Sequence, residues 1–434
     1  MGFFTRLRLR GLHTALLWAC LPPLNALAEP ASSALTLAEA SRLTLDRNPE
    51  LQVFQWRLKA TDARRESAAL NPAFEIAVEA ENVLGSDEFS GTENAEWTLS
   101  LGSLIELGGK RRARIALADS RYAVAQAERE ARALDVLAEV TQTFVAALAV
   151  QEKQRVAAEA VQLAQTSLDL VSERVKRGAA PGAERLRAQA ALTQTQLSER
   201  ALTAESASQK LTLATLWGAE KAEFSHLAGN LYRTAQAPDF PVLFERAANS
   251  PAITVFASES RLRNAELALT RSQSSADIQW SLGVRRFETS GAAALTAGVS
   301  VPLSIARRNR GDVQAALAEQ QSVEADREAT LLALRARLFA AWQTYQHSTT
   351  AAQQMRDEVL PALTQALKQT RQAYEQGRYS YVDWVAAQRE LLDARLALAE
   401  SLLLALTAGT IGLLVAFALL QTFVAMAPPG IPGI

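Results

Sequence analysis

Residues 110–177 hold neither proline nor glycine, and their apolar positions return every seven residues: Val156, Leu163 and Leu170 form one row, Val161, Leu168 and Val175 another. Such a pattern predicts one unbroken helix, roughly 100 Å long at 1.5 Å per residue, too long for an ordinary packed element. The heptad rows keep a seam facing a partner helix, so the segment reads as a strut in a coiled-coil wall. The strut stops at Gly178, and Pro181 and Gly182 follow as a helix-stop and helix-start signal. Helix resumes from Glu184 to about Leu216. The expectation is an antiparallel hairpin spanning 110–216 with its tip at 178–182.

The pattern then repeats. Gly178, Glu184, Gln189, Leu192 and Leu197 recur as Gly377, Asp383, Gln388, Leu391 and Leu396, and the row Val161, Leu168, Val175 recurs as Leu360, Leu367, Tyr374. This is an internal duplication whose period is far too long for a solenoid. The second hairpin spans 311–400, and Pro361 predicts a kink in its strut that the first lacks. Each half opens on a helix broken before a proline, at Asn48-Pro49 and Ser250-Pro251, because the residue before proline is pushed out of the helical region.

Ahead of each strut the period changes from helical to two. Phe74, Ile76 and Val78 alternate with Glu75, Ala77 and Glu79; Trp97, Leu99 and Leu101 alternate with Thr98, Ser100 and Gly102. In the second half Ile278, Trp280, Leu282 and Val284 alternate with Gln279, Ser281 and Gly283, and Leu295, Ala297, Val299, Val301 and Leu303 with Thr296, Gly298, Ser300 and Pro302. Strands are expected at about 72–84, 95–107, 276–288 and 293–303. About ten residues with one apolar and one polar face is the pattern of outer-membrane strands. Four strands cannot close, and an open edge in lipid leaves backbone groups unpaired at several kcal/mol each, so several chains must pool their strands. The competing reading is two soluble hairpins packed on helices.

Composition narrows the picture. Net charge is −1 and aromatic residues make up 6 % of the 434-residue chain. Basic residues are spread along the helices, so no footprint for nucleic acid appears. Abundant alanine suits close helix packing. Residues 1–28 read as a secretory signal: Arg6, Arg8 and Arg10, an apolar run at 12–21, and Ala26-Leu27-Ala28 before Glu29. The single cysteine, Cys20, lies inside it; Leu17-Trp18-Ala19-Cys20 is a rival lipoprotein site, although Trp18 is bulky for that pattern. His13, His226 and His347 are scattered, and no cluster has metal-ligand spacing, so neither a metal site nor a cofactor is expected. Nor does the chain show a nucleophile with a base partner or a phosphate-cradling loop, so it does not read as an enzyme.

The string Glu106-Leu107-Gly108-Gly109-Lys110-Arg111 closes a strand and feeds a very long helix. With Asn48-Pro49, Asn71-Pro72, the Arg-Asn-Arg-Gly turn at 308–311 and the Gly-x5-acid-x4-Gln tips, it resembles the outer membrane factors, the TolC-like family, and within them the heavy-metal efflux branch. The resemblance covers 36 to about 400. It implies a mainly α chain with a four-stranded membrane β segment, a homotrimer with a twelve-strand β-barrel in outer-membrane lipid, and an α-helical barrel continuing into the periplasm. The implied function is a passive conduit for divalent heavy-metal cations in a tripartite system. An inner-membrane RND-type pump and a periplasmic adaptor complete it, the adaptor docking on the tips at Gly178 and Gly377. Drug or type I protein export shares every feature but cargo, and a periplasmic coiled-coil adaptor or scaffold is the alternative from another class. Related channels narrow their mouth with acids near the second tip, where Asp383 falls and Ala386 replaces a second acid; Glu184 is the first-half counterpart. Both acids equally suit a helix start, where a carboxylate satisfies first-turn amides.

The expected organisation is a signal peptide at 1–28, a first repeat at 29–217, a connecting segment crossing the surface at 218–240, a second repeat at 241–400, and a tail at 401–434. The tail departs from the duplication. Residues 401–434 carry no charge, whereas the first-half copy carries Glu205 and Lys210. An altered or frame-shifted end, an apolar helix packed in the bundle and a membrane anchor at 402–426 are the open readings.

Overall fold

The computed structural model describes residues 34–233, 236–303 and 305–415. The signal segment, Cys20 and the end of the tail lie outside the described residues.

The order of elements is β1 (Ala34–Thr36), α1 (Leu37–Arg47), α2 (Pro49–Ala68), β2 (Glu75–Glu81), β3 (Glu96–Ile105), α3 (Lys110–Lys176), α4 (Gly182–Thr215), β4 (His226–Ala228), α5 (Phe240–Ala248), α6 (Pro251–Ser272), β5 (Ile278–Phe287), β6 (Ala293–Ser300), α7 (Ile305–Arg308), α8 (Arg310–Gln354), a π turn (Met355–Val359), α9 (Leu360–Glu375) and α10 (Tyr381–Val415). The long helices and the four strands β2, β3, β5 and β6 therefore fall where periodicity placed them. The strands are shorter than expected, and β2 spans only seven residues.

α3 is the predicted strut, unbroken over 67 residues. Its upper part is clamped by α2 and α6 through Arg65–Asp119 (2.7 Å) and Arg121–Glu266 (3.6 Å). Its lower part lies between α4 and α10, marked by Gln154–Thr203 (3.2 Å) and Ser167–Gln388 (2.8 Å). The row that disappears from solvent is Ala157, Ala164 and Val171, with Ser167 beside it, while Leu163, Leu168 and Leu170 stay half-buried. Two partners instead of one explain the difference. Small residues let the neighbouring backbones close in, and the leucines fill the flanks.

Asn48 is the pivot at the break before Pro49. Its side-chain oxygen accepts from the amides of Glu50 (3.0 Å) and Leu51 (3.2 Å), while its amide donates to the carbonyl of Leu216 (2.9 Å), tying the start of α2 to the end of α4. At the matching break in the second half, Pro251 opens α6 after Ser250.

Two expectations need correction. Residues 218–240 do not simply cross the surface: β4 pairs in parallel with β1, and Leu227 and Leu231 enter the main core with Val140, Phe144, Leu148, Leu213 and Leu398. Strands of three residues from segments so far apart leave no period to read. The start of the apolar tail joins the bundle, because α10 runs past residue 400 to Val415 and buries Leu402, Ala405, Ala408 and Thr410. The interruption expected at Pro361 is present, as a π turn just before it, where Leu360 N–H bonds the carbonyl of Met355. Proline has no N–H to give the carbonyl four residues back, and the wider turn absorbs the mismatch.

The sheet order is β2-β3-β5-β6, antiparallel throughout and open at both edges. In-register rows such as Val78, Leu99, Val284 and Leu295 place apolar side chains from all four strands on one face.

Candidate functional site

The two hairpin tips lie side by side, built by the same local device. At each, the glycine adopts left-handed φ, +71° at Gly178 and +72° at Gly377. In the first tip Gly178 N bonds Val175 O (3.0 Å) and Ala179 N bonds Arg174 O (2.8 Å); in the second Gly377 N bonds Tyr374 O (2.9 Å) and Arg378 N bonds Ala373 O (2.8 Å). These are the paired bonds of a glycine-ended helix. A side-chain carbon would meet nothing close at either position, so glycine is required for its backbone angle and not for space.

The starts of the returning helices differ. Asp383 closes a reciprocal cap: its carboxylate accepts from Ser380 N (3.0 Å) and Ser380 Oγ (2.6 Å), and Asp383 N donates back to Ser380 Oγ (3.3 Å). The Ser380 hydroxyl, then its amide, hold this carboxyl below the usual aspartate range. Asp383 is nonetheless exposed. Glu184 is half-buried and accepts the hydroxyl of Tyr374 at 2.9 Å, linking the first tip to the second. Burial, then that bond, push the Tyr374 phenol above its ordinary value.

Periodicity alone did not reveal Arg174 or Trp384. Arg174 donates to the carbonyls of Tyr374, Glu375 (3.2 Å) and Ala179 (3.3 Å), and its guanidinium sits 4.5 Å over the Tyr374 ring. Trp384, 1 % exposed, stacks on Tyr374 at 5.1 Å and meets Tyr381 edge-on at 6.5 Å. With Val171 and Ala188 they form a separate small core that binds the two hairpins together. An arginine in the last turn of a helix looks like an ordinary dipole partner. The usable signal was aromatic: Tyr374, Tyr381 and Trp384 fall together once the chain reverses at Gly377.

The string 106–111 makes the strand-to-helix junction. Arg114 pairs with Glu106, and Lys110 Nζ reaches Asp277 (2.6 Å) and the carbonyl of Ser275 (2.8 Å). Leu107 N–H donates to the same Asp277 carboxylate (3.0 Å), and Arg111 bonds the carbonyl of Ala69 (2.7 Å). A side chain at Gly108 would stand 2.4 Å from Ser275 Oγ. The motif thus fastens the first half's junction to the second half's. Its counterpart, Asn309, is buried and donates to Thr270 O (2.5 Å) and Ser274 Oγ (2.9 Å).

At the opposite end from the tips, the apolar face of the sheet is bare: Ile76, Val299 and Leu295 are 76 %, 74 % and 88 % exposed. No helix of the described chain covers it. Trp97 lies near one end of this face and Phe74 against Trp280 (6.4 Å, edge-on) near the other. The polar face carries Arg285, paired with Glu81 (2.6 Å) and Glu96 (2.9 Å) and bonded to Thr98 (3.0 Å). Among the described residues, no group of three or more His, Cys, Asp or Glu could hold a metal ion.

Comparison with known proteins agrees with this architecture. The chain is similar to the cobalt-zinc-cadmium resistance protein CzcC of Cupriavidus metallidurans, 28 % identical over 366 residues, 84 % of this chain and 86 % of that one. Two solved structures share the fold. One is the outer-membrane channel OprN, with a TM-score of 0.73, 18 % identity, and coverage of 88 % of this chain and 89 % of that one. The other is the outer membrane protein VceC of Vibrio cholerae, with a TM-score of 0.69, 19 % identity, and coverage of 88 % and 95 %. Residues 40–219 and 242–409, one stretch from each half of the duplication, match the outer membrane efflux protein family, and the chain belongs to that family.

Proposed function

We propose that this chain is the outer-membrane subunit of a tripartite RND-type efflux system, one third of a passive conduit whose cargo is divalent heavy-metal cations. The observation that carries the reading is the bare apolar face on an unclosed sheet. From Trp97 to Ser103, which pairs with Trp280, is six residues, about 20 Å at 3.4 Å each. That is close to the apolar band of roughly 25 Å, edged by aromatic girdles, found on membrane barrels. The two free edges must pair with other copies, and three copies supply twelve strands.

The helical wall supports the same assembly. Trp56 on α2 and Leu186 and Leu197 on α4 are exposed, as are Leu332 and Phe339 on α8. These helices are the two outer margins of the protomer's wall, so closing it into a ring buries them against neighbours. Gly178 and Gly377 end the wall and are the docking points for a periplasmic adaptor, which in turn meets the inner-membrane pump. Asp383, exposed on the second tip, is the acid that three copies bring to the mouth. Glu184 serves chiefly the contact between tips. The proposed organisation keeps 1–28 as signal peptide and the two repeats.

Cargo rests on CzcC, which is named for cobalt, zinc and cadmium. The test is gene deletion with growth on zinc, cobalt, cadmium, nickel, copper and silver salts, alongside isolation of heat-modifiable trimers from outer-membrane fractions. Lowered metal tolerance is the expected result. Unchanged tolerance with lost drug resistance would move the cargo to drugs, and a monomer in the soluble periplasmic fraction would overturn the conduit in favour of a coiled-coil scaffold.

A further inference from the structure

Three segments meet where the strands give way to helices. Lys110 Nζ reaches Asp277 and the carbonyl of Ser275, and Asn309 donates to Thr270 O and Ser274 Oγ, so 106–114, 271–277 and 305–312 lie at one level. Together they hold eight basic residues against three acids, in a chain whose formal charge is −1. Arg114 and Lys110 are committed to Glu106 and Asp277. Arg111, Arg112, Arg271, Arg307, Arg308 and Arg310 remain. All six are exposed, and among the described residues no carboxylate stands within ion-pair distance of any of them. The apolar face of the sheet runs down to this level: Ile105 pairs with Ile278 and Ser300 with Gln279 at the start of β5, and Phe74, Ile105, Val301 and Leu303 are exposed there. The opposite rim has the reverse balance, since 79–96 and 285–290 carry seven acids and two arginines.

We propose that the six arginines form a collar that binds the phosphate groups of anionic phospholipids in the leaflet next to the helical wall. The proposal rests on the channel reading above. An apolar border followed at once by basic side chains is the arrangement of a membrane interface, where long stems lie along the apolar edge and the charged heads reach the headgroups. A guanidinium without a carboxylate offers its planar fork of donors to phosphate oxygens. The excess of positive charge favours anionic headgroups over zwitterionic ones. Because only one rim of the sheet has this excess, the collar tells the two leaflets apart, and three copies would close it into a ring.

The full-length chain is reconstituted into nanodiscs of phosphatidylethanolamine with a minor share of phosphatidylglycerol, re-extracted in mild detergent, and its co-purifying lipid quantified by mass spectrometry. Expected is several-fold enrichment of phosphatidylglycerol over its bulk share, lost when extraction is done at about 1 M salt, where the screening length is about 3 Å. Arg112→Gln, Arg307→Gln, Arg308→Gln and Arg310→Gln together should return the lipid to its bulk ratio. Arg185→Gln, Arg187→Gln, Arg200→Gln and Arg389→Gln, which remove as many exposed charges from the helical hairpins, should leave the enrichment in place. Absent enrichment, enrichment indifferent to salt, enrichment kept by the collar variant, or equal loss in both variants overturns the collar. If the fourfold collar variant does not fold, the pair Arg307→Gln with Arg308→Gln replaces it, with partial loss expected and no loss overturning. A natural chain that does not enter the bilayer sinks the channel reading and the collar with it, whereas insertion without enrichment strikes the collar alone.

Discussion

Gly178 and Gly377 share one backbone angle and one pair of closing bonds, although the residues around them have diverged from Ala-Ala-Pro-Gly to Arg-Tyr-Ser-Tyr. A left-handed angle penalises a side chain by about 1 kcal/mol or more. Gly178→Ala and Gly377→Ala should each lower the local opening free energy of their tip by about that amount, read from hydrogen exchange of the flanking amides. Asp383 adds a pH dependence. Its carboxyl is held below the ordinary value of 3.8, so its contribution is present above that value and is lost as pH falls through the depressed one. Fluorescence of Trp384 should change below about pH 4 in the natural chain, and Asp383→Asn should remove that acid step. Tyr374 works the other way: its raised phenol stabilises the tip below its ordinary value of 10.0 and loses that contribution as the solution becomes more alkaline.

Among the elements, the junctions below the sheet carry the most specific contacts. Lys110 and Asp277 are 11 % and 19 % exposed, and the carboxylate also accepts an amide from Leu107. Removing one partner strands the other in a largely dry site, and Asp277→Ala should cost about 3 kcal/mol. The double change Lys110→Met with Asp277→Leu should cost less than either single change, because no orphan charge remains. Urea midpoints of the detergent-solubilised protein check both. The string 106–111 was legible in the sequence as a marker of family and as the passage from a strand into a long helix. That Lys110 answers an acid from the other half was not legible, since Asp277 lies in no shared motif. The small-residue seam of α3 was hidden for a related reason: heptads of alanine and serine stand out less than leucine rows until two helices are seen to press from both sides.

For the whole molecule the decisive feature is incompleteness. Exposed apolar residues mark the sheet and both outer margins of the wall, and the proposed ring of copies in a membrane would cover them all at once. Leu186→Glu with Leu197→Glu places charges at one margin, and trimers should give way to monomers on native gels while the helical content of each chain is kept. Overlap of the variant's trimer band with the natural one would remove those leucines from the interface.

Periodicity is a local property, so the chain alone determined its long helices, its alternating strands, the reversals at Gly178 and Gly377, the breaks before Pro49 and Pro251, and the duplication. Contacts between segments distant along the chain obey no such repeat, and only the tertiary structure decided them: the pairing of β1 with β4, the burial of Leu227, Leu231 and Leu402, the grip of Arg174 on the second tip, and the use of Glu184 by Tyr374. The same holds for Pro361. Its sequence announces a broken helix, but whether the break becomes a bend or a π turn depends on the helices packed around it.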